Sequence, residues 1–159
     1  CADTVMFCLS KGLGAPVGSV LTGPAPLIEE ARRVRKLLGG GLRQAGILAA
    51  CGLHALEHNV ARLAEDHAHA RALADAVRGA AIPGVRVDPP ETNMVFVRVG
   101  GADGTLYRRL LAALRQDGIL ALAALEKALR FVFHKDVSAE QARIARESIV
   151  EVLARELGG

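Results

Sequence analysis

Runs of apolar residues and their spacing divide the chain into short elements. Val5-Met6-Phe7-Cys8-Leu9 is a continuous apolar run that ends at a glycine-rich segment, the pattern of a short buried strand. Val17 to Leu21 predicts a second strand, and Gly23-Pro24-Ala25-Pro26 a turn, with Pro26 suited to the first turn of a helix. That helix runs from Leu27 to Leu38 and stops at Gly39-Gly40-Gly41. From Gln44 to Arg78, residues Leu53, Leu56, Val60, Leu63, His67, Ala70, Leu73 and Val77 recur at spacings of three and four. The spacing predicts one long helix whose stripe faces a core in preference to a second chain.

The second half alternates between the two periods. Gly79 to Pro90 is a breaker-rich connector around Val85-Arg86-Val87. Met94 to Val99 sets Met94, Phe96 and Arg98 against Val95, Val97 and Val99, which predicts a strand. After the turn at Gly100-Gly101-Ala102-Asp103-Gly104, Leu106, Leu110, Leu111 and Leu114 mark a helix stopped by Gly118. Ile119 to Leu122 and Leu129 to Phe133 predict strands, the latter with Arg130, Val132 and His134 on one side. Ser138-Ala139-Glu140-Gln141 is a capping box. It opens a helix with Ala142, Ala145, Ile149, Val152, Leu153 and Leu157 inward. Strands alternating with helices predict a small α/β lobe here.

Composition narrows the picture. The 159 residues suffice for one domain or two small lobes. With 51% hydrophobic but only 3% aromatic residues, the core must be built from Leu, Val, Ile and Ala. The net charge of +3 is spread along the chain, and no window interleaves basic with aromatic residues, so no nucleic-acid partner is expected. The longest apolar stretch, Ile47 to Leu56, is interrupted by His54 and too short to span a bilayer, so no membrane partner is expected. No signal-peptide pattern is present. Cys1, Cys8 and Cys51 lack metal-ligand spacing, and their odd number argues against a closed disulfide set. A reduced, cytoplasmic or organellar setting is the expectation.

Candidate chemistry centres on Lys11. It lies between the first apolar run and a loop in which Gly12, Gly14 and Gly18 allow tight turning and close backbone approach to a ligand. Ligands gather at strand mouths in open α/β sheets. A lysine in a half-apolar pocket there would lose basicity and could attack a carbonyl to form a Schiff base. The ordinary alternative is a surface lysine at a strand end. His54 and His58, spaced i, i+4, share a helix face and could share a metal, but no glutamate follows His54 and no third ligand is evident, so no metal site is expected. His67 is expected as a hydrogen-bonded core residue and His69 as exposed. Arg32 and Arg33 are expected on a solvated basic face.

The residues from Ala2 to Ser19 closely resemble the lysine segment of the low-specificity threonine aldolases, pyridoxal-phosphate (PLP) enzymes of the aspartate-aminotransferase fold. The resemblance continues at Arg35-Lys36-Leu37-Leu38-Gly39-Gly40-Gly41-Leu42-Arg43-Gln44-Ala45-Gly46 and at Thr92-Asn93-Met94-Val95-Phe96-Val97. It is weaker at Arg130-Phe131-Val132-Phe133-His134-Lys135-Asp136-Val137-Ser138. These islands occur in the family's order across nearly the whole chain. The implied fold is α/β, the C-terminal portion of a PLP-dependent transferase-like fold. Residues 1–45 would belong to the PLP-binding large domain, 46–78 to a long connecting helix, and 79–159 to a small C-terminal α/β domain.

The resemblance also implies roles. Lys11 would form a Schiff base with PLP, with Ser10 beside it as a cofactor contact. Lys36 and Arg43 would lie near the active-site entrance of this or a neighbouring subunit. Arg130 would hold the substrate carboxylate, since an arginine can grip it with two parallel charge-assisted hydrogen bonds. One departure bears on Arg130: the family carries a short proline-containing segment before this strand, and here the sequence is Ala121-Leu122-Ala123-Ala124-Leu125-Glu126-Lys127-Ala128. His134 beside Asp136 is expected to be structural. The implied reaction is retro-aldol cleavage of threonine or allo-threonine to glycine and acetaldehyde by a homo-oligomer, dimer or tetramer. The family's upstream segment, with its phosphate loop, its ring-stacking group and the aspartate facing the pyridine nitrogen, is expected to be missing from these residues. The general base would go with it. A catalytically inactive truncated remnant, or another PLP-dependent amino-acid lyase or transaminase, are the alternative readings.

Overall fold

A computed structural model describes residues 2–124 and 128–158. The chain forms two compact units, Cys1–Arg62 and Leu63–Gly159.

The first unit is a hairpin and two helices. Strand β1 (Val5–Cys8) pairs antiparallel with β2 (Ser19–Thr22), Val5 opposite Thr22 and Cys8 opposite Ser19. The intervening loop is closed by backbone bonds from Leu9 N–H to Gly18 O at 2.9 Å and from Ala15 N–H to Leu9 O at 3.0 Å. Gly14 (φ 72°) and Gly18 (φ 116°) supply the left-handed turns this closure needs. The apolar run predicted a buried strand, but Val5 and Met6 are 53% and 60% exposed. A two-stranded ladder buries little unless another element covers it. Helix α1 (Ala25–Leu37) begins with a proline in its first turn, ends with Arg35 and Lys36, and buries none of its residues. Helix α2 (Gly46–His58) buries Gly52 and Ala55. A Cβ at Gly52 would lie 3.1 Å from Leu9 Cδ1, so the glycine lets the helix approach the hairpin closely.

The helix predicted over 44–78 is instead two helices, α2 and α3 (Leu63–Gly79). Asn59 ends α2 with its N–H bonded to Ala55 O at 2.9 Å, and its side-chain Nδ2 donates to Leu13 O at 2.7 Å. The apolar spacing runs straight through this break, which is why periodicity alone misses it.

The second unit is one layer of helices on one sheet. After α3 come β3 (Val85–Val87), β4 (Met94–Val99), α4 (Gly104–Gln116), β5 (Leu122–Ala124), β6 (Ala128–Val132) and α5 (Ala139–Leu157). The strand order is β3-β4-β6-β5, each neighbouring pair antiparallel. Val95, Val97, Leu129 and Phe131 on one sheet face pack with Leu73, Leu110, Leu114, Ile149 and Leu153 of the helices in a single core. Alternate residues of the same strands, Phe96, Arg98, Leu122, Arg130 and Val132, fall on the opposite face, which the helices leave uncovered. Beyond the paired ends of β4 and β6, Asn93 continues the ladder. Its O accepts from Phe133 N–H at 3.0 Å and its Nδ2 donates to Phe133 O at 2.6 Å.

Three further expectations change. Val85–Val87, expected within a connector, is a strand paired to β4. The strand expected over 119–122 is β5, Leu122–Ala124. Ile119 N–H turns back to Leu114 O at 2.9 Å after Gly118 at φ 76°, so the stop of α4 uses the backbone that would have opened the strand. His69, expected exposed, is half-buried, its ring 5.9 Å from that of Phe133. Leu125 to Lys127, within the segment that departs from the aldolase pattern, lie outside the described residues.

Candidate functional site

The hairpin loop buries Leu13 and Ala15 and presents Ser10 and Lys11 outward. Lys11 O accepts from Gly14 N–H at 2.8 Å, which fixes the backbone beneath the lysine. The side chain is exposed rather than held in a half-apolar pocket, because the loop turns Leu13 and Ala15 inward and leaves Lys11 on its outer side. Among the described residues no carboxylate pairs with its ammonium.

The basic residues of α1 divide in two. Arg32 and Arg33 pair with Glu29 at 3.6 Å and Glu30 at 3.3 Å, as expected of a solvated face. Lys36 and Arg43 are exposed and make no ion pair among the described residues. The loop between them folds back over the helix end, with Gly40 N–H on Arg35 O at 2.8 Å and Gly39 N–H on Lys36 O at 3.2 Å. A Cβ at Gly41 would meet Lys36 Cδ at 2.9 Å, so a side chain there would push the exposed lysine stem aside. Next to Arg43, Gln44 takes φ 51°, a left-handed conformation that costs a non-glycine residue about 1 kcal/mol or more.

Arg130 occupies the middle of β6, opposite Phe96 of β4 on one side and Leu122 of β5 on the other. It is half-buried, and its Nε is shielded from solvent without a hydrogen-bond partner among the described residues. Arg98, on the same sheet face, differs: Asp88 Oδ2 accepts from its Nε at 3.1 Å and its Nη2 at 3.0 Å. Of the three arginines on that face, Arg98 already holds a carboxylate, and Arg86 and Arg130 hold none among the described residues. Lys11, Ser10, Lys36 and Arg43 therefore belong to the first unit and Arg130 to the second.

His54 and His58 stack with ring centroids 4.2 Å apart, and His58 Nδ1 lies 2.9 Å from His54 O. No cluster of three or more potential metal ligands occurs among the described residues. His134 Nδ1 lies 3.5 Å from Asp136 Oδ2. Both edge a cavity of about 370 Å³ walled by Phe131, Phe133 and Ile149, which none of the sequence-predicted site residues lines. No described helix is long and apolar enough to cross a membrane. Sequence reasoning passed over Asn59 and Phe96, which brace the loop of Lys11 and flank Arg130. An asparagine interrupting an apolar stripe is the signal that marks the first. Phe96 carries no such mark, because only strand register pairs it with Arg130.

Similarity to known proteins covers both units. The profile of the family described as "Beta-eliminating lyase" matches residues 1–102. The low specificity L-threonine aldolase of Escherichia coli (strain K12) is 47% identical over 139 residues, which are 87% of this chain and 39% of that protein. Low-specificity L-threonine aldolase 1 of Arabidopsis thaliana is 42% identical over 139 residues, 86% of this chain and 38% of its own. The chain thus spans 38–39% of the length of these relatives. The ornithine aminotransferase of Toxoplasma gondii, whose structure has PLP at partial occupancy in its active site, superposes with a TM-score of 0.68 at 18% identity, covering 96% of this chain and 37% of that one.

Proposed function

The chain belongs to the beta-eliminating lyase family, and from that premise we propose that it forms part of a PLP-dependent threonine aldolase, which cleaves threonine or allo-threonine to glycine and acetaldehyde. Its α/β architecture is that of the fold-type-I, aspartate-aminotransferase class. Residues 1–45 would come from the cofactor-binding domain, 46–78 would connect, and 79–159 would form the small domain.

The residues fit the cofactor. An exposed primary amine, unpaired among the described residues, is what an aldehyde needs to reach, and Lys11 offers one on a backbone already fixed by hydrogen bonds. When bound, PLP supplies the electron sink for the pair released as the substrate's Cα–Cβ bond breaks. Lys11 would hold the cofactor through its Nζ, an atom that can also accept or return a proton. The Ser10 hydroxyl is beside it to hydrogen-bond an anionic cofactor group. Lys36 and Arg43 bring unpaired positive charge to draw an amino-acid carboxylate toward the entrance. Arg130 grips that carboxylate and so orients the bond at Cα.

The observation that carries this reading is Lys11: an exposed amine, without an ion pair among the described residues, on a closed glycine loop within the stretch matched by the family profile. The test is borohydride reduction of the complete PLP-loaded protein followed by peptide mass mapping. The cofactor's mass is expected on Lys11, and its appearance on another side chain overturns the assignment. Threonine offered without a keto acid should yield acetaldehyde and glycine; turnover only with a keto-acid acceptor would mean a transaminase.

A further inference from the structure

We propose that Phe96 is a positioning residue for Arg130, holding the guanidinium so that only its two terminal amino groups face an incoming carboxylate. The inference deepens the carboxylate reading of Arg130 and rests on it. Phe96 and Leu122 lie directly opposite Arg130 on its two neighbouring strands. Directly opposed residues on one sheet face have Cβ atoms about 5 Å apart, close enough for an aromatic ring to lie along an arginine stem. Phe96 is half-buried although it faces away from the helical core, whereas Leu122 is 59% exposed. The more covered of the two flanks is therefore the aromatic one. The Arg130 Nε itself is shut off from solvent, with no acceptor among the described residues.

That shielding decides the geometry of the grip. A carboxylate arriving from outside cannot reach Nε, so the side-on arrangement that Asp88 makes with Arg98 through Nε and Nη2 is closed to Arg130. The end-on arrangement remains, in which both terminal nitrogens donate to the two carboxylate oxygens. Without the ring, the stem is free to rotate, Nε becomes wet, and the guanidinium spreads over several orientations. Substrate would then bind more weakly, while the chemistry at Cα, once substrate is seated, would be unchanged.

The experiment compares Phe96→Ala, Phe96→Leu and Leu122→Ala with Arg130→Gln in the complete PLP-loaded protein. Steady-state kinetics with threonine are measured alongside the solvent exchange of the Arg130 Nε–H by ¹⁵N–¹H NMR. Phe96→Ala is expected to raise KM about tenfold with kcat within about twofold, Phe96→Leu to recover most of that loss, and Leu122→Ala to shift KM less. Exchange of the Nε–H should accelerate in Phe96→Ala. If KM and exchange both stay at their wild-type values in Phe96→Ala, the positioning role is wrong, even where Arg130→Gln raises KM. If Arg130→Gln itself leaves KM unchanged, the carboxylate reading fails, and the exchange measurement, which needs no substrate, still judges whether Phe96 shields Nε. Should Phe96→Ala not fold, Phe96→Val takes its place: its shorter side chain is expected to raise KM and speed exchange of the Arg130 Nε–H, and wild-type values of both would overturn the proposal.

Discussion

The Asn59 side chain donates from Nδ2 to the carbonyl oxygen of Leu13 at 2.7 Å, joining the end of α2 to the loop that carries Lys11. The bond spans 46 residues of sequence and is partly buried. Asn59→Ala leaves the Leu13 carbonyl without this donor and should cost about 1 kcal/mol. Urea unfolding would measure the loss, and faster hydrogen exchange at the Gly14 and Ala15 amides would locate it in the loop.

Tyr107 sits in the core of the second unit at 2% exposure, where its hydroxyl accepts from Val99 N–H at 3.3 Å. Tyr107→Phe keeps the ring and removes the acceptor from a buried amide at the end of β4. About 1–2 kcal/mol of stability should be lost by denaturant titration, with the strand order intact. An unchanged midpoint would mean that water or another group satisfies that amide.

Glu140 and Glu147 both clasp Arg143 on α5, at 2.7 Å each. The Arg143 hydrogen bonds, and then its charge, hold the Glu140 carboxyl below its ordinary value of 4.5, and the same contacts raise Arg143. A carboxyl with a depressed folded pKa stabilises the fold above its unfolded value. That contribution disappears as pH falls through the folded one. The pair's contribution should therefore be complete at neutral pH, decline below about pH 4.5, and shrink with added salt. A carbon-detected NMR titration of Glu140 should show a midpoint below the ordinary value that returns toward it in Arg143→Gln.

The 159 residues by themselves should be weak or inactive in threonine cleavage even with PLP added. They span 38–39% of the length of the aldolases they resemble, and the hairpin beside Lys11 leaves Met6 60% exposed. Acetaldehyde release from threonine, measured with an excess of cofactor, checks this. Turnover at rates typical of an enzyme would show that these residues suffice.

Much of the second unit was legible because its signals are local. The alternation from Met94 to Val99 and the box at Ser138 and Gln141 each depend on residues a few positions apart, and both appear as expected. The end of α2 was easily missed, because its one local signal, Asn59, lies in an apolar stripe that continues past it, and the bond that anchors Asn59 reaches Leu13, 46 residues away. Val85–Val87 was hidden for a related reason: three residues carry almost no period, and pairing to β4 makes them a strand. Among the candidate residues, Lys11 and Arg130 stand out from the sequence by their family resemblance. Their surroundings do not. That Lys11 is exposed, that Arg98 is occupied by Asp88, and that the Arg130 Nε is enclosed follow from burial and register. Asp66, fully buried in the first turn of α3, is a further case, since carboxylates at helix starts are common on the surface and sequence does not distinguish the two.

The backbone on both sides of Lys11 is tied down by Leu9, Gly14, Ala15 and Gly18, while the amine stands at the end of a flexible aliphatic stem. That combination makes a swinging arm on a rigid mount. Coupling to an aldehyde requires ordering only the stem's torsions, and letting go again requires no unlocking of the loop. In the proposed role, the amine would give up one partner and recapture it many times over while the hairpin stays as it is.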